Sequence, residues 1–128
     1  MAEARGVRIL ALSADLMFAT QVRDTLARAG YRVEVVESQV QAVAGLQELR
    51  PQLLLVDIAA PGLSLADLVR EAGAAGVPVL AFGRHTDKEG LAAALAAGCV
   101  AALPRSRLVT EMASLVARYA GTEQAAAS

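Results

Sequence analysis

The chain has 128 residues, of which 55% are hydrophobic, 20% are charged and 3% are aromatic, and its formal net charge is −1. This length and composition predict one globular domain that buries roughly two thirds of its extended-chain surface. The near-zero charge and the scarcity of aromatic rings argue against a surface that binds nucleic acid or an anionic membrane.

The single cysteine, Cys99, excludes an intrachain disulfide, and its apolar neighbours predict a buried structural thiol in a protein of the reducing cytoplasm. The only histidine is His85, so no Cys/His cluster has the spacing of a metal site. The longest uncharged apolar run, 91–104, is shorter than the roughly 20 residues that a helix needs to cross a bilayer. These features predict a cytoplasmic protein without a membrane segment.

The first half of the chain alternates between strand and helix patterns. Short apolar runs predict the strands, and apolar side chains at helical spacing behind Asp15 and Ser38, which can both cap helices, predict the helices. The polar–apolar alternation of 32–36 is typical of a strand near the edge of a sheet. The predicted elements are strand 7–12, helix 16–29, strand 32–36 and a helix that follows Ser38 and ends at Leu49.

The second half repeats this alternation three times. Residues 53–58 are apolar apart from Asp57, as in a central parallel strand that is covered on both faces. Ser64, Thr86 and Ser106 stand where they could cap the three helices. The predicted elements are strand 53–58, helix 65–75, strand 77–82, helix 87–97, strand 100–103 and a last helix capped by Ser106.

Five strand–helix units predict an α/β fold, a doubly wound five-stranded parallel sheet with helices on both faces that spans residues 1–120. Residues 121–128 are mostly small and polar and predict a flexible tail. In open sheets of this kind, binding sites lie beyond the carboxyl ends of the strands. The side chains to consider therefore follow the first, third, fourth and fifth strands.

The third strand and the loop after it carry a specific pattern, in which an apolar run is followed by Asp57, three residues and Pro61-Gly62. This segment resembles the phosphoacceptor loop of CheY-like response-regulator receiver domains, and the order of elements is similar from Val7 to Ala120. The resemblance implies the flavodoxin-like strand order 2-1-3-4-5. It also places Asp57 at the position of the aspartate that takes the phosphoryl group in two-component signalling.

Receivers neutralise the phosphoryl charge with Mg²⁺, which is held in part by an acidic pair after the first strand. The resemblance places Ser13 and Ala14 at the positions of that pair, while Asp15 falls one place later and is interpreted as a helix cap. Asp57 is then the sole carboxylate of the predicted site. Because Mg²⁺ favours charged oxygen ligands, we expect weak or absent Mg²⁺ binding and no other cofactor.

Three further positions depart from the receiver pattern. Gly83 stands where receivers carry a hydroxyl that binds the phosphoryl group, and Ala102 stands where they often carry an aromatic switch residue. Arg105 stands at the position of a lysine, and Ser106 replaces the proline that follows it. Since Arg105 keeps a positive charge on a planar fork, we predict an Asp57–Arg105 ion pair that fixes the domain in one conformation.

The leading hypothesis is therefore a pseudo-receiver, a non-enzymatic signalling domain that acts through phosphorylation-independent protein–protein contact. In receivers, the fourth helix, fifth strand and fifth helix form the usual partner surface. Here the fourth helix contains the apolar run 91–97, which is unusual for a surface helix. We expect this face to bind a partner protein or a second copy of the chain.

Two alternatives stay open at this point. In the first, Asp57 is phosphorylated as in an active response regulator. In the second, the loops sense a small anion or another ligand, with Arg84, His85 and Arg105 as the contacts. The interpretation of Arg84 and His85 that assigns them no function is that they are solvated loop residues.

Overall fold

The computed structural model describes residues 6–121, in which strands and helices alternate along the chain. The elements are β1 (Arg8–Leu12), α1 (Leu16–Arg28), β2 (Arg32–Val36), α2 (Gln39–Leu49), β3 (Leu53–Asp57), α3 (Leu65–Ala74), β4 (Val79–Gly83), α4 (Lys88–Ala97), β5 (Ala101–Pro104) and α5 (Arg105–Tyr119).

The five strands form one parallel sheet in the order β2-β1-β3-β4-β5. This arrangement confirms both the predicted fold class and the predicted strand order. β2 lies at an edge, as its alternating pattern indicated, whereas every residue of β3 and β4 is buried. Because the strands are parallel, all five carboxyl ends meet at one edge of the sheet.

The sheet separates two layers of core. On one face, α1 and α5 pack against alternate strand residues such as Ile9, Leu55 and Phe82. On the other face, α2, α3 and α4 pack against the intervening residues, among them Leu10 and Val56. The strict alternation of strand side chains between the two faces is what lets a continuous apolar strand serve both layers.

The helix starts show where local sequence signals succeed and fail. Asp15 caps α1 as predicted, since its carboxylate accepts a hydrogen bond from the backbone N–H of Phe18, and Ser38 caps α2 within a capping box. The cap of α4 is Asp87 rather than Thr86, because the Asp87 carboxylate accepts from the N–H three residues later.

The start of α5 also differs from the prediction. The expected cap, Ser106, lies inside the first turn, and the N-cap position is held by Pro104 in an extended conformation. β5 therefore runs directly into α5 with no loop between them. This direct junction places Arg105, the first helical residue, at the carboxyl edge of the sheet.

The predicted flexible tail begins at Gly121, and the rest of it, 122–128, lies outside the described residues. In the part of the chain that is described, no helix is both long and apolar enough to cross a bilayer.

Candidate functional site at the carboxyl edge of the sheet

Asp57 is the last residue of β3, and only 2% of its surface is exposed. The strands beside it in the sheet are β1 and β4, since Leu12 pairs with Val56 and Asp57 pairs with Phe82. The apolar residues that precede Asp57 are buried alternately on the two faces of the sheet. Because these residues fix the position of the central strand, the Asp57 carboxylate is held at its buried end.

Both oxygens of the Asp57 carboxylate accept hydrogen bonds from the protein. Oδ2 accepts from Ser13 Oγ at 2.9 Å and from Arg105 Nη2 at 2.5 Å, while Oδ1 accepts from the backbone N–H of Ala59 at 3.0 Å. The Arg105 contact is an ion pair, so the predicted Asp57–Arg105 pair is confirmed. A buried carboxylate is tolerated only when it is paired and hydrogen-bonded, and these three donors meet that need.

The Arg105 guanidinium joins two acids. Its Nη1 donates to Asp15 Oδ2 at 2.9 Å, while Nη2 donates to Asp57. Its central carbon lies 4.9 Å from the ring centroid of Phe18 and 6.0 Å from that of Phe82, and the two rings are themselves 5.2 Å apart. Ion pairing and ring contacts together hold the guanidinium against the end of the sheet.

Asp15 has a second role that sequence reasoning missed. It caps α1 as predicted, but its other carboxylate oxygen binds Arg105, so the expectation that Asp57 is the sole carboxylate of the site is wrong. The reason is geometric, because the N-cap of the helix after β1 lies at the same sheet edge as Asp57. The Phe18 N–H and then the Arg105 guanidinium hold the pKa of the Asp15 carboxyl below its ordinary value of 3.8.

The two positions predicted to replace the acidic pair behave differently. Ser13 is 1% exposed, and its hydroxyl donates to Asp57 while accepting from the backbone N–H of Asp15 at 3.1 Å. Ala14 is exposed and supplies no polar side-chain atom. Ser13 is thus a neutral hydrogen-bond donor to the carboxylate at a position where an acid would repel it.

As arranged here, these residues do not fit a Mg²⁺ ion. Mg²⁺ requires oxygen ligands in octahedral geometry, whereas the Asp57 and Asp15 oxygens that face each other across the site are bound to the two terminal nitrogens of Arg105. Between residues 6 and 121, no group of three His, Cys, Asp or Glu side chains is placed to hold a metal ion.

Gly83, the last residue of β4, lies against Ile58, which any side chain at position 83 would have to displace. A Cβ atom built there would lie 2.7 Å from Cγ1 and 2.8 Å from Cδ1 of Ile58, the residue after Asp57. Ile58 therefore fills the space that a serine or threonine would need at this position, a relationship that sequence reasoning did not find.

Ala102, at the predicted switch position, is half-buried on β5 and packs against the α2–α4 layer of the core.

Arg84 and His85 do not join this network. Both side chains are exposed, and neither makes an ion pair or a side-chain hydrogen bond to another residue of the described range. Arg105 is committed to two carboxylates, so its positive charge is already matched. The contacts therefore favour the interpretation of Arg84 and His85 as solvated loop residues.

A cleft of about 420 Å³ lies at the other end of the sheet. It is lined by the amino ends of β1 and β2 and by parts of α1 and α2, including Arg8, Arg23 and Arg32. It contains none of the residues predicted to form the site. A molecule bound there would not contact Asp57.

The predicted docking face on α4 is exposed. Within α4 only Ala94 is buried. Three large apolar side chains reach solvent, namely Leu95 on α4 at 52% exposed, Val100 just before β5 at 44% and Val109 on α5 at 38%. Cys99 nearby is buried as predicted, and burial raises the pKa of its thiol to about 11.

Comparison with known proteins gives a consistent result. The family model described as response regulator receiver domain matches residues 9–116. The DNA-binding response regulator MtrA of Mycolicibacterium paratuberculosis is 33% identical over 81 residues, which cover 62% of this chain and 36% of that protein. The MtrA of Mycobacterium tuberculosis matches to the same extent. The match thus spans 36% of the length of these curated relatives.

Solved structures of receiver domains superpose closely on this fold. The receiver domain of the sensor histidine kinase PA1611 from Pseudomonas aeruginosa PAO1, which has a magnesium ion coordinated in its active site cleft, is 26% identical with a TM-score of 0.79, and the match covers 91% of this chain and 98% of that one. The receiver domain of the putative response regulator NarL from Mycobacterium tuberculosis is 20% identical with a TM-score of 0.78, over the same shares of the two chains. The chain therefore belongs to the family of response regulator receiver domains.

Proposed function

We propose that this domain is a pseudo-receiver, which regulates through protein–protein contact without phosphorylation of Asp57. The observation that carries the proposal is the hydrogen bonding of the Asp57 carboxylate within the protein, in which Ser13 and Arg105 donate to Oδ2 and the Ala59 N–H donates to Oδ1. Receiver domains are regulatory domains, so a chain of this family with an occupied carboxylate still has a role as a signalling surface.

The contacts at Asp57 oppose phosphoryl transfer in two ways. The attacking oxygen needs a free lone pair directed at the phosphorus atom, and the three donors leave only one of the four lone pairs, on Oδ1, without a donor from the described chain. The developing phosphoryl charge needs a cation that can contact the transferred group, and the Arg105 guanidinium is bound to Asp57 and Asp15 instead. The related PA1611 receiver holds magnesium in its cleft, whereas the donor arrangement here supports a domain that does not.

The proposal includes a non-enzymatic, cofactor-free domain that works in the cytoplasm. A buried thiol with a raised pKa supports a structural rather than a reactive role for Cys99. The face that we propose for the partner comprises α4, β5 and α5, since Leu95, Val100 and Val109 expose apolar surface there. The partner is another protein or a second copy of the chain.

Incubation with acetyl phosphate and Mg²⁺, followed by intact-mass measurement, tests the proposal. We expect the wild-type chain to gain no phosphoryl group under conditions in which a phosphorylatable receiver in the same tube is modified. The Asp57→Asn variant is the matched control. A mass increase on the wild-type chain that is lost in this variant would establish the alternative, a phosphoacceptor response regulator, and end the proposal.

The anion-sensing alternative has less support in the contacts. It requires Arg84, His85 and Arg105 to face one ligand, and only Arg105 lies in the charged network. A ligand that binds the folded state raises its apparent stability by mass action, so thermal melts with inorganic phosphate are a simple screen. We expect the melting temperature to be the same with and without phosphate at constant ionic strength.

A further inference from the structure

We infer that the Arg105 guanidinium occupies the position between Asp15 and Asp57 that a divalent metal ion would otherwise take. The two carboxylates therefore bind this internal positive charge rather than a metal ion. Removal of the guanidinium would leave a two-carboxylate site for Mg²⁺ or Mn²⁺. The inference deepens the proposed function and rests on it, since it names the residue that keeps the Asp57 carboxylate occupied.

The first argument is the way one group spans two acids. Asp15 lies after β1, Asp57 ends β3, and Arg105 begins α5, so the three residues come from separate segments that meet at one sheet edge. The contacts are 2.9 Å from Nη1 to Asp15 and 2.5 Å from Nη2 to Asp57. Because both nitrogens belong to one planar group, the two carboxylates point toward a common centre.

The second argument is charge balance. Two carboxylates that face a common centre repel each other, and a buried one such as Asp57 is strongly destabilised without a cation. Ser13 and the Ala59 N–H still donate to Asp57 when Arg105 is removed, but both are neutral. The site therefore requires a positive charge, and a divalent ion would neutralise the two acids completely.

The third argument concerns access and ligand type. The Asp15 side chain is 43% exposed and the Arg105 side chain is 29% exposed, so an ion from solvent can reach the position once the guanidinium is absent. Mg²⁺ binds in proteins through one or two carboxylates while keeping several waters, and this is the donor set that Asp15 and Asp57 would offer.

The Arg105→Ala variant tests the inference by direct measurement of metal binding. Free Mn²⁺ is followed by electron paramagnetic resonance during titration, and Mg²⁺ is followed by calorimetry. We expect wild-type protein to bind either ion weakly or not at all, and Arg105→Ala to bind at least about tenfold more tightly, because a competing unit charge has been removed. Arg84→Ala removes an exposed arginine of the adjacent loop and should match wild type.

Two further variants keep the test decisive. Arg105→Met removes the charge but keeps an extended side chain beside the rings of Phe18 and Phe82, so it serves if the alanine variant does not fold. Adding Asp15→Asn to either variant should abolish most of the gain, since one of the two carboxylates is lost.

Each outcome has one meaning. If Arg105→Ala or Arg105→Met folds but binds metal no better than Arg84→Ala, the inference is overturned, and it is equally overturned if the gain persists with Asp15→Asn. These results leave the proposed function intact, because that function fails only if wild-type Asp57 is phosphorylated.

Discussion

The site around Asp57 and the face formed by α4, β5 and α5 differ in whether their side chains are bound within the protein or exposed to solvent. At the site, the charges are matched within the protein, because Arg105 binds Asp15 and Asp57. On the face, Leu95, Val100 and Val109 expose apolar surface with nothing of the described chain covering it. The site is occupied by the protein's own charges, whereas the face offers apolar surface for the contact that we propose.

At the site, the largest expected effect is the loss of stability when its cation is removed. Arg105→Ala leaves Asp57 buried without its partner and should lower the free energy of unfolding by about 3 kcal/mol. This value is at the low end for a buried ion pair, because Arg105 is partly exposed. Arg84→Ala removes an exposed charge and should change stability by less than about 0.5 kcal/mol. Urea unfolding of the two variants measures the contrast, and equal costs would show that the ion pair is not stabilising.

Packing beneath the site gives a second contrast. Gly83→Ala places a methyl group against Ile58 and should cost about 1–2 kcal/mol, with a smaller cost in an Ile58→Ala background. Gly73→Ala, in α3, meets no atom within 4 Å and should stabilise by about 0.5–1 kcal/mol through helix propensity. Thermal or urea unfolding compares the two substitutions. If Gly83→Ala does not lower stability, the Ile58 side chain moves aside to admit the methyl group.

Restoring the acidic pair tests whether its loss or the presence of Arg105 matters more. We expect Ser13→Asp with Ala14→Asp to increase Mg²⁺ affinity only modestly, because Arg105 would pair with the new acids. Adding Arg105→Lys, whose ammonium cannot span two carboxylates as a fork does, should increase it further. Calorimetry with Mg²⁺ separates the two cases, and equal affinities would assign the weak Mg²⁺ binding that we expect of the wild type to the missing acids alone.

On the face, a charge at an exposed position should leave the fold intact. Leu95→Asp should cost about 1 kcal/mol through lost helix propensity and partial burial but leave the protein folded, since this side chain is 52% exposed, whereas Ala94→Asp introduces an unpaired charge at a fully buried position and should prevent folding. Light scattering over a range of concentrations then reports on self-association. If wild type forms a dimer and Leu95→Asp does not, the face binds a second copy, and an unchanged dimer would place that contact elsewhere.

The smallest expected effect is a pH dependence at Asp15. The pKa of this carboxyl is lowered in the folded state, so its contribution to stability is present above its ordinary pKa of 3.8 and is lost as the pH falls through the lower folded value. Asp15→Asn retains the helix cap because Asn caps as well as Asp does. Unfolding curves of the two proteins should differ above pH 4 and converge as the pH falls through the lowered folded pKa of Asp15, and a constant difference would contradict the charge interaction.

Most of the fold could be predicted because its signals are local. Five apolar runs gave the strands, helical spacing gave the helices, and the caps Asp15 and Ser38 were correctly identified. The predicted cap of α4 was wrong because two neighbouring polar residues, Thr86 and Asp87, compete at the helix start, and that of α5 was wrong because the helix begins directly after Pro104 at the end of β5. Where more than one cap residue is available, only the three-dimensional path of the chain decides which one is used.

The site was only partly predictable. The Asp57–Arg105 pair followed from the resemblance to receivers, which aligns Arg105 with their lysine, but the bond from Arg105 to Asp15 joins residues 90 positions apart and has no local signature. The packing of Ile58 against Gly83 and the approach of Phe18 to Arg105 likewise depend on how neighbouring elements meet. A single polar residue one place beyond an expected motif position is the signal that could have indicated the role of Asp15.

A crystal structure of the wild-type domain grown in high Mg²⁺ tests the central claim most directly. The account predicts that the Arg105 guanidinium still contacts Asp15 and Asp57 and that no metal ion replaces it. A well-ordered hexacoordinate ion bound to Asp57, with Arg105 turned away to solvent, would contradict the claim that the internal cation determines what this site can bind.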